Sequence, residues 1–219
     1  MFVCWSAKGG CGTTVVASSL ALLLSHSRPT VLVDLGGDVP AALGMPEPSG
    51  PGVADWLASP TADAMALWRL AVDATPGLQI VPHGAPLLRS AAEVDPTRWR
   101  ELGRVLGLAA DTVVVDAGLG LPHAALRGEG VQSLLVTRPC YLALRRAVML
   151  HERPTGVVLV NEPSRSLTAG DVSNTLGVPV VAEVAYDPQV FRCVDAGLLA
   201  SRLPRGLAHP LSTPAHLVA

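Results

Sequence analysis

With 219 residues the chain is long enough for one α/β domain with a full core and short for two. Apolar residues make up 49% and charged residues 16%, which suits a sheet buried on both faces; aromatics at 4% leave Ala, Val and Leu to fill the core. The net charge of −2 without a basic block gives non-specific DNA binding little support, and Cys4, Cys11, Cys140 and Cys193 are too isolated for a zinc or iron–sulfur site.

The first elements frame a phosphate loop. Residues 2–5 are an apolar run that reads as a strand, and 15–24 carry an apolar helical pattern. Between them lies Ser6-Ala7-Lys8-Gly9-Gly10-Cys11-Gly12-Thr13-Thr14. Glycines there let successive backbone N–H groups converge on an anion, and the helix N-terminus adds partial positive charge. The common form of this loop, G-x-x-x-x-G-K-[ST], ends in a lysine for the β/γ-phosphates and a hydroxyl for Mg²⁺. Thr14 supplies the hydroxyl, but Thr13 stands where the lysine belongs, and Lys8 lies five residues earlier. Lys8 is the one lysine among 16 Lys and Arg residues, and a compact ammonium suits a tight phosphate site better than a guanidinium fork.

Residues 30–34 read as a buried strand ending in Asp34, and the Gly- and Pro-rich stretch 35–51 as a loop. Helices are expected at 52–58 and 61–69, a strand at 78–82 and a helix at 96–108, while 70–74 is ambiguous. Residues 112–116 repeat the pattern of a Val-rich strand ending in aspartate, here Asp116, and 117–120 form its turn. Strands at 131–137, 156–161 and 180–184 then alternate with helices at 139–150, 167–176 and 187–196. The tail 203–219 holds Pro204, Pro210 and Pro214 and is expected to be irregular. No apolar run reaches the roughly eighteen residues of a membrane span, and the first residues lack a secretory pattern, so a cytoplasmic protein is expected.

This alternation predicts a three-layer α/β/α domain over residues 1–219 with a mostly parallel sheet of the P-loop NTPase type. Ligands of such sheets sit at the C-terminal ends of the strands. Residues 9–14, Asp34, Asp116 and Asn161 all fall at such ends and are expected to meet on one rim. Each aspartate alone could equally cap the next turn.

Lys8-Gly9-Gly10-Cys11-Gly12-x-Thr14 resembles the deviant Walker A motif, K-G-G-x-G-K-[ST], of the MinD/ParA family of P-loop ATPases. The resemblance runs on through most of the chain. Val31-Leu32-Val33-Asp34 is similar to the family's second strand, and Gly52-Val53-Ala54-Asp55-Trp56-Leu57 to the short helix after its switch region. Residues 111–116 resemble the Walker B strand, and Val136-Thr137-Arg138-Pro139 with Leu144-Arg145 the V-T-x-P…L-R segment. Val158-Leu159-Val160-Asn161 resembles the strand whose asparagine contacts adenine, and Tyr186-Asp187 with Asp195-Ala196-Gly197 the closing P-x-D…G segment. The abbreviated Asp34-Leu35-Gly36-Gly37-Asp38 leans towards CpaE/TadZ-like and actinobacterial Min-like members.

The resemblance implies ATP or ADP with Mg²⁺, a homodimer, and a protein partner that the sequence does not identify. Backbone amides of Gly9, Gly10, Cys11, Gly12, Thr13 and Thr14 would hold phosphate, and Asn161 and Asp187 would complete the nucleotide site. Thr14 would bind Mg²⁺ and Asp116 would hold it through water, with Asp34 in its outer shell. Lys8 and Asp34 carry the catalytic expectation, Lys8 by reaching the partner's phosphates. Three departures weaken catalysis. Thr13 removes a charge whose hydrogen bond is typically worth roughly 1.5–3 kcal/mol, or about one to two decades of affinity. Gly36 replaces the second carboxylate of the family's D-x-D, and Ala117-Gly118 replaces Ser/Thr-Pro after the Walker B aspartate. The basic helix that tethers MinD to membranes has no counterpart in 204–219, so no direct membrane anchor is expected. The leading expectation is a nucleotide-binding positioning or recruiting factor with weak or lost hydrolysis. An active ATPase using Lys8, and a nucleotide-free scaffold, are the alternatives.

Overall fold

A computed structural model describes residues 1–84 and 94–216. Its architecture grows from strand β1 (Phe2–Ser6), every residue of which is buried. Alternate side chains of a strand point to opposite faces. Phe2 and Cys4 accordingly join one apolar cluster while Val3 and Trp5 join two others. A strand with both faces covered needs helices on both sides of its sheet, which gives three layers.

The helices and strands that follow are α1 (Thr13–Ser25), β2 (Thr30–Asp34), α2 (Val39–Leu43), α3 (Val53–Ala58), α4 (Ala64–Trp68), β3 (Val72–Thr75) and β4 (Leu78–Val81). After these come α5 (Pro96–Gly107), β5 (Thr112–Leu119), β6 (Gln132–Thr137), α6 (Tyr141–Met149) and β7 (Gly156–Val160). The chain continues with α7 (Ala169–Leu176), β8 (Val180–Val184), α8 (Pro188–Asp195) and α9 (Arg205–His216). The strands form one sheet in the order β3-β4-β2-β5-β1-β6-β7-β8, parallel throughout except where β3 runs antiparallel to β4. The mostly parallel sheet expected from the sequence is therefore present, with an antiparallel edge in the stretch left ambiguous. β5 lies between β1 and β2, and its Asp116 sits in register with Asp34 of β2 and Cys4 of β1.

Three local expectations need correction. The tail 203–219 is not irregular: α9 forms from Arg205 to His216 despite Pro210 and Pro214 inside it, and 217–219 lie outside the described residues. Leu207 and Leu211, one helical turn apart, are fully buried in the cluster that α1 and β8 also build. Burial of that face offsets the N–H groups the prolines remove, about 3 kcal/mol each in an unsupported helix interior. The loop 35–51 contains α2, whose Val39 and Leu43 are buried and whose end is a left-handed Gly44. The turn after Asp116 starts late, because β5 continues to Leu119 and pairs there with Ser6.

One close approach ties distant parts together. Gly44, with φ 76°, lies so near Gly197 that a Cβ on it would meet the Gly197 carbonyl oxygen at 1.8 Å. The end of α2 and the end of α8 are thereby pinned to each other.

Candidate functional site

The connection from β1 to α1 is a glycine turn with open space around it. Gly10 and Gly12 have φ of 74° and 91°, and nothing lies within 4 Å of where a Cβ on either would stand. Positive φ is cheap for glycine and costly for other residues, so this shape depends on those two positions. Gly12 caps α1, its carbonyl accepting from the Val16 N–H. Between the glycines, Cys11 is buried, and the charges of Lys8 and Arg138 act on its thiol. Burial pushes the Cys11 thiol up, so it acts as an apolar pin rather than a nucleophile. Thr13 is buried, while Lys8 is half-buried with Nζ donating to the Gly9 carbonyl at 3.3 Å.

The two strand-end aspartates differ. Both oxygens of Asp34 are taken by its own loop: Oδ1 accepts from Gly37 N–H at 2.6 Å and Oδ2 from Val39 N–H at 3.1 Å. Asp34 thus caps the turn into α2. Burial raises its carboxyl above the usual range, and those two N–H groups and His83 pull it back. Asp116 spends one oxygen, Oδ1 accepting from Gly118 N–H at 3.1 Å, while its Oδ2 is buried without a hydrogen-bond partner among the described residues. Burial pushes its carboxyl up to about 6, against the Thr14 hydroxyl and Gly118 N–H and with the help of the Asp34 charge. A buried carboxylate oxygen with no donor suits a cation. No group of three His, Cys, Asp or Glu side chains forms a cage among the described residues. Mg²⁺ accepts that poverty, since it is commonly held by one or two carboxylates, water and phosphate oxygens.

The turns after β2 and β5 touch. A Cβ on Gly36 would stand 3.0 Å from Asp116 Oδ2, and one on Gly118 would stand 3.1 Å from Gly36 Cα. The missing second carboxylate is therefore also a missing space.

On the other side of the loop, Gly12, Val15 and Val16 wall a cavity of about 110 Å³, closed by Asn161, Tyr186 and Val190. Asp187 and Arg138 also line it. Asn161 continues the β7–β8 ladder, its N–H donating to the Val184 carbonyl at 2.8 Å, and its amide reaches Glu183 at 3.4 Å. Asp187 caps α8 by accepting the Gln189 N–H at 2.8 Å. Arg138 pairs with Glu162, which Arg165 also grips at 2.6 Å. Those cations, Arg165 first, hold the Glu162 carboxyl below its usual range.

The residues named from the sequence separate into two neighbouring groups. Thr14, Asp34 and Asp116 gather beside the glycine turn, and Gly12, Asn161 and Asp187 share the apolar cavity. Sequence reasoning missed His83, which approaches Gly37 and the Asp34 carboxyl, and the lining side chains Val190 and Phe191, and it quoted Tyr186 without a role. It quoted Arg138 without a role. A strand-end position in the segment after β6 was the available signal for Arg138; His83 offered none.

The fold has counterparts among solved structures. A ParA-family ATPase from Chlorobium tepidum TLS superposes with a TM-score of 0.79 at 22% identity, over 100% of this chain and 98% of that one. MinD from Pyrococcus horikoshii OT3, solved with Mg-ADP, gives 0.76 at 21% over 99% and 95%. The ATP complex of the Cyanothece McdA D38A variant gives 0.73 at 16% over 99% and 94%. The fold is that of the ParA and MinD ATPases. No protein-family model matches the sequence, and no curated protein matches it. In the ParA/MinD fold of this chain, the glycine turn, the β2 and β5 aspartates and the β7–β8 cavity all open at the C-terminal edge of the sheet. Among the described residues no helix is long and apolar enough to cross a membrane.

Proposed function

We propose that the chain is a MinD/ParA-like nucleotide-binding protein that dimerises on ATP and recruits a protein partner, with weak or absent hydrolysis. The observation that carries this reading is the buried, donorless Oδ2 of Asp116 beside an open glycine turn at the start of α1. Backbone N–H groups of residues 9–14 would hold the phosphates, and the Thr14 hydroxyl and Asp116 would hold Mg²⁺. The metal would neutralise phosphate charge. Asp34 shapes the loop into α2 rather than carrying a proton, since both of its oxygens already accept backbone N–H groups. Asn161 would read the base from the cavity wall. Lys8, bonded only weakly to its neighbour's carbonyl, keeps an ammonium available for a second subunit. Thr13 and the closed space at Gly36 are the grounds for weak turnover, because neither a loop lysine nor a second carboxylate faces the γ-phosphate.

Titration with Mg-ATP and Mg-ADP tests this directly. Binding should be seen at or below millimolar nucleotide, Mg-ATP should drive a dimer in sedimentation, and phosphate release should stay near background. No binding at millimolar nucleotide rejects the reading in favour of a scaffold. Brisk phosphate release that disappears in Lys8→Ala establishes the working ATPase instead.

Thr13→Lys offers a gain-of-function check. Restoring the ammonium should tighten Mg-ATP by about one to two decades in calorimetry. Adenosine affinity should stay unchanged.

A further inference from the structure

Arg138 lies where the loop group and the cavity group meet. Its carbonyl accepts from Cys140 N–H at 2.7 Å, and its positive charge acts on Cys11 inside the glycine turn. The main chain at 138 is therefore tied to the start of α6. Its side chain lines the same cavity as Gly12, at the head of α1, and Asn161, at the end of β7. Position 138 thus sits between the part of the site suited to phosphates and the part suited to a base.

The guanidinium is held rather than loose. One terminal nitrogen pairs with Glu162, and the other Glu162 oxygen accepts from Arg165 Nε at 2.7 Å. Two arginines share one carboxylate, so the trio carries a net positive charge. A guanidinium has five N–H donors. Glu162 engages one edge, and Nε is buried without a hydrogen-bond partner among the described residues. The charge also reaches the loop, where it favours the thiolate form of Cys11.

We infer that Arg138 is a phosphate-binding cation of this site, gripping the nucleotide phosphate nearest the sugar. This rests on the nucleotide-binding reading above. Glu162, steadied by Arg165, positions the guanidinium and limits its swing. The ligand class is a nucleoside 5′-phosphate of any phosphate number, because the contact is made at the first phosphate. Arginine suits the role, since its planar fork can keep a carboxylate on one edge and take a phosphate oxygen on another.

A phosphate ladder separates the possibilities. Adenosine, AMP, ADP and Mg-ATP are titrated into the wild-type protein, Arg138→Gln and Arg138→Lys. Wild type should bind AMP more tightly than adenosine. Arg138→Gln should lose about ten- to a hundredfold for AMP, ADP and Mg-ATP, with adenosine unchanged. Arg138→Lys should recover part of the loss. In wild-type protein, the Arg138 Nε–H resonance should shift with AMP and stay put with adenosine, a readout that needs no variant. Equal affinity of Arg138→Gln and wild type for AMP overturns the inference, as does an equal loss for adenosine and AMP, or a resonance that AMP leaves unmoved. If wild type binds none of the four ligands, the nucleotide-binding reading itself falls.

Discussion

Gly44→Ala should cost about 3–5 kcal/mol of folding stability, enough to abolish cooperative unfolding near room temperature in a marginal domain. Gly44 ends α2 in the left-handed conformation, which alone disfavours alanine. The added methyl would also stand 1.8 Å from the Gly197 carbonyl oxygen, inside any contact distance, and both neighbours are backbone. Relief requires α2 and α8 to separate, and α2 is held by Asp34 through the Val39 N–H. Urea titration followed by circular dichroism checks it. Gly107→Ala is the control: Gly107 closes α5, and nothing lies within 4 Å of its would-be Cβ. That variant should gain a few tenths of a kcal/mol, up to about 1. Similar behaviour of the two variants would show that the Gly44–Gly197 contact gives way easily.

Asp116→Asn should stabilise the metal-free protein at pH 7.5 by about 2–3 kcal/mol and raise its melting temperature by roughly 5–10 °C. The Asp116 carboxyl titrates near 6 when folded because burial disfavours its charge, against an ordinary value of 3.8. Between those values the native state holds a proton that the unfolded chain has released. Stability therefore falls as pH rises through that window, and the full penalty is present above about pH 6. Asparagine removes the ionisation and hence the penalty, so the gain should fade below pH 4, where both side chains are neutral. The same variant should lose Mg²⁺-dependent stabilisation by nucleotide. Melting curves at pH 4, 5, 6 and 7.5, with and without Mg-ADP, check both halves. A variant less stable than wild type at pH 7.5 would mean that Oδ2 is well solvated after all.

The sheet was legible because its signals are local and repeated. Val-rich runs ending in aspartate or asparagine, separated by helical patterns, admit few arrangements, and β2, β5 and β7 fall where those runs predicted. α9 was not legible, because two prolines argue against a helix and only the burial of Leu207 and Leu211 against α1 and β8 overrides them. α2 was hidden for a similar reason, since its five residues are fixed by Asp34 from the preceding strand. Within the site, Asp34 and Asp116 end matching Val-rich strands, and only the family resemblance told them apart. What separates them is backbone geometry: two N–H groups reach Asp34, and one reaches Asp116. Arg138 and His83 could not be weighted from the sequence, as their meaning comes from the turns they face.

The contact between Gly36 and Gly118 also limits what position 36 can carry. A Cβ at 36 would crowd Asp116 Oδ2 at 3.0 Å, and a carboxylate there would set a second negative charge beside one already disfavoured by burial. A side chain at position 36 therefore needs Asp116 or the turn after β5 to give by a few tenths of an ångström. The two glycines are thus coupled: a side chain at either position presses on the turn that carries the other.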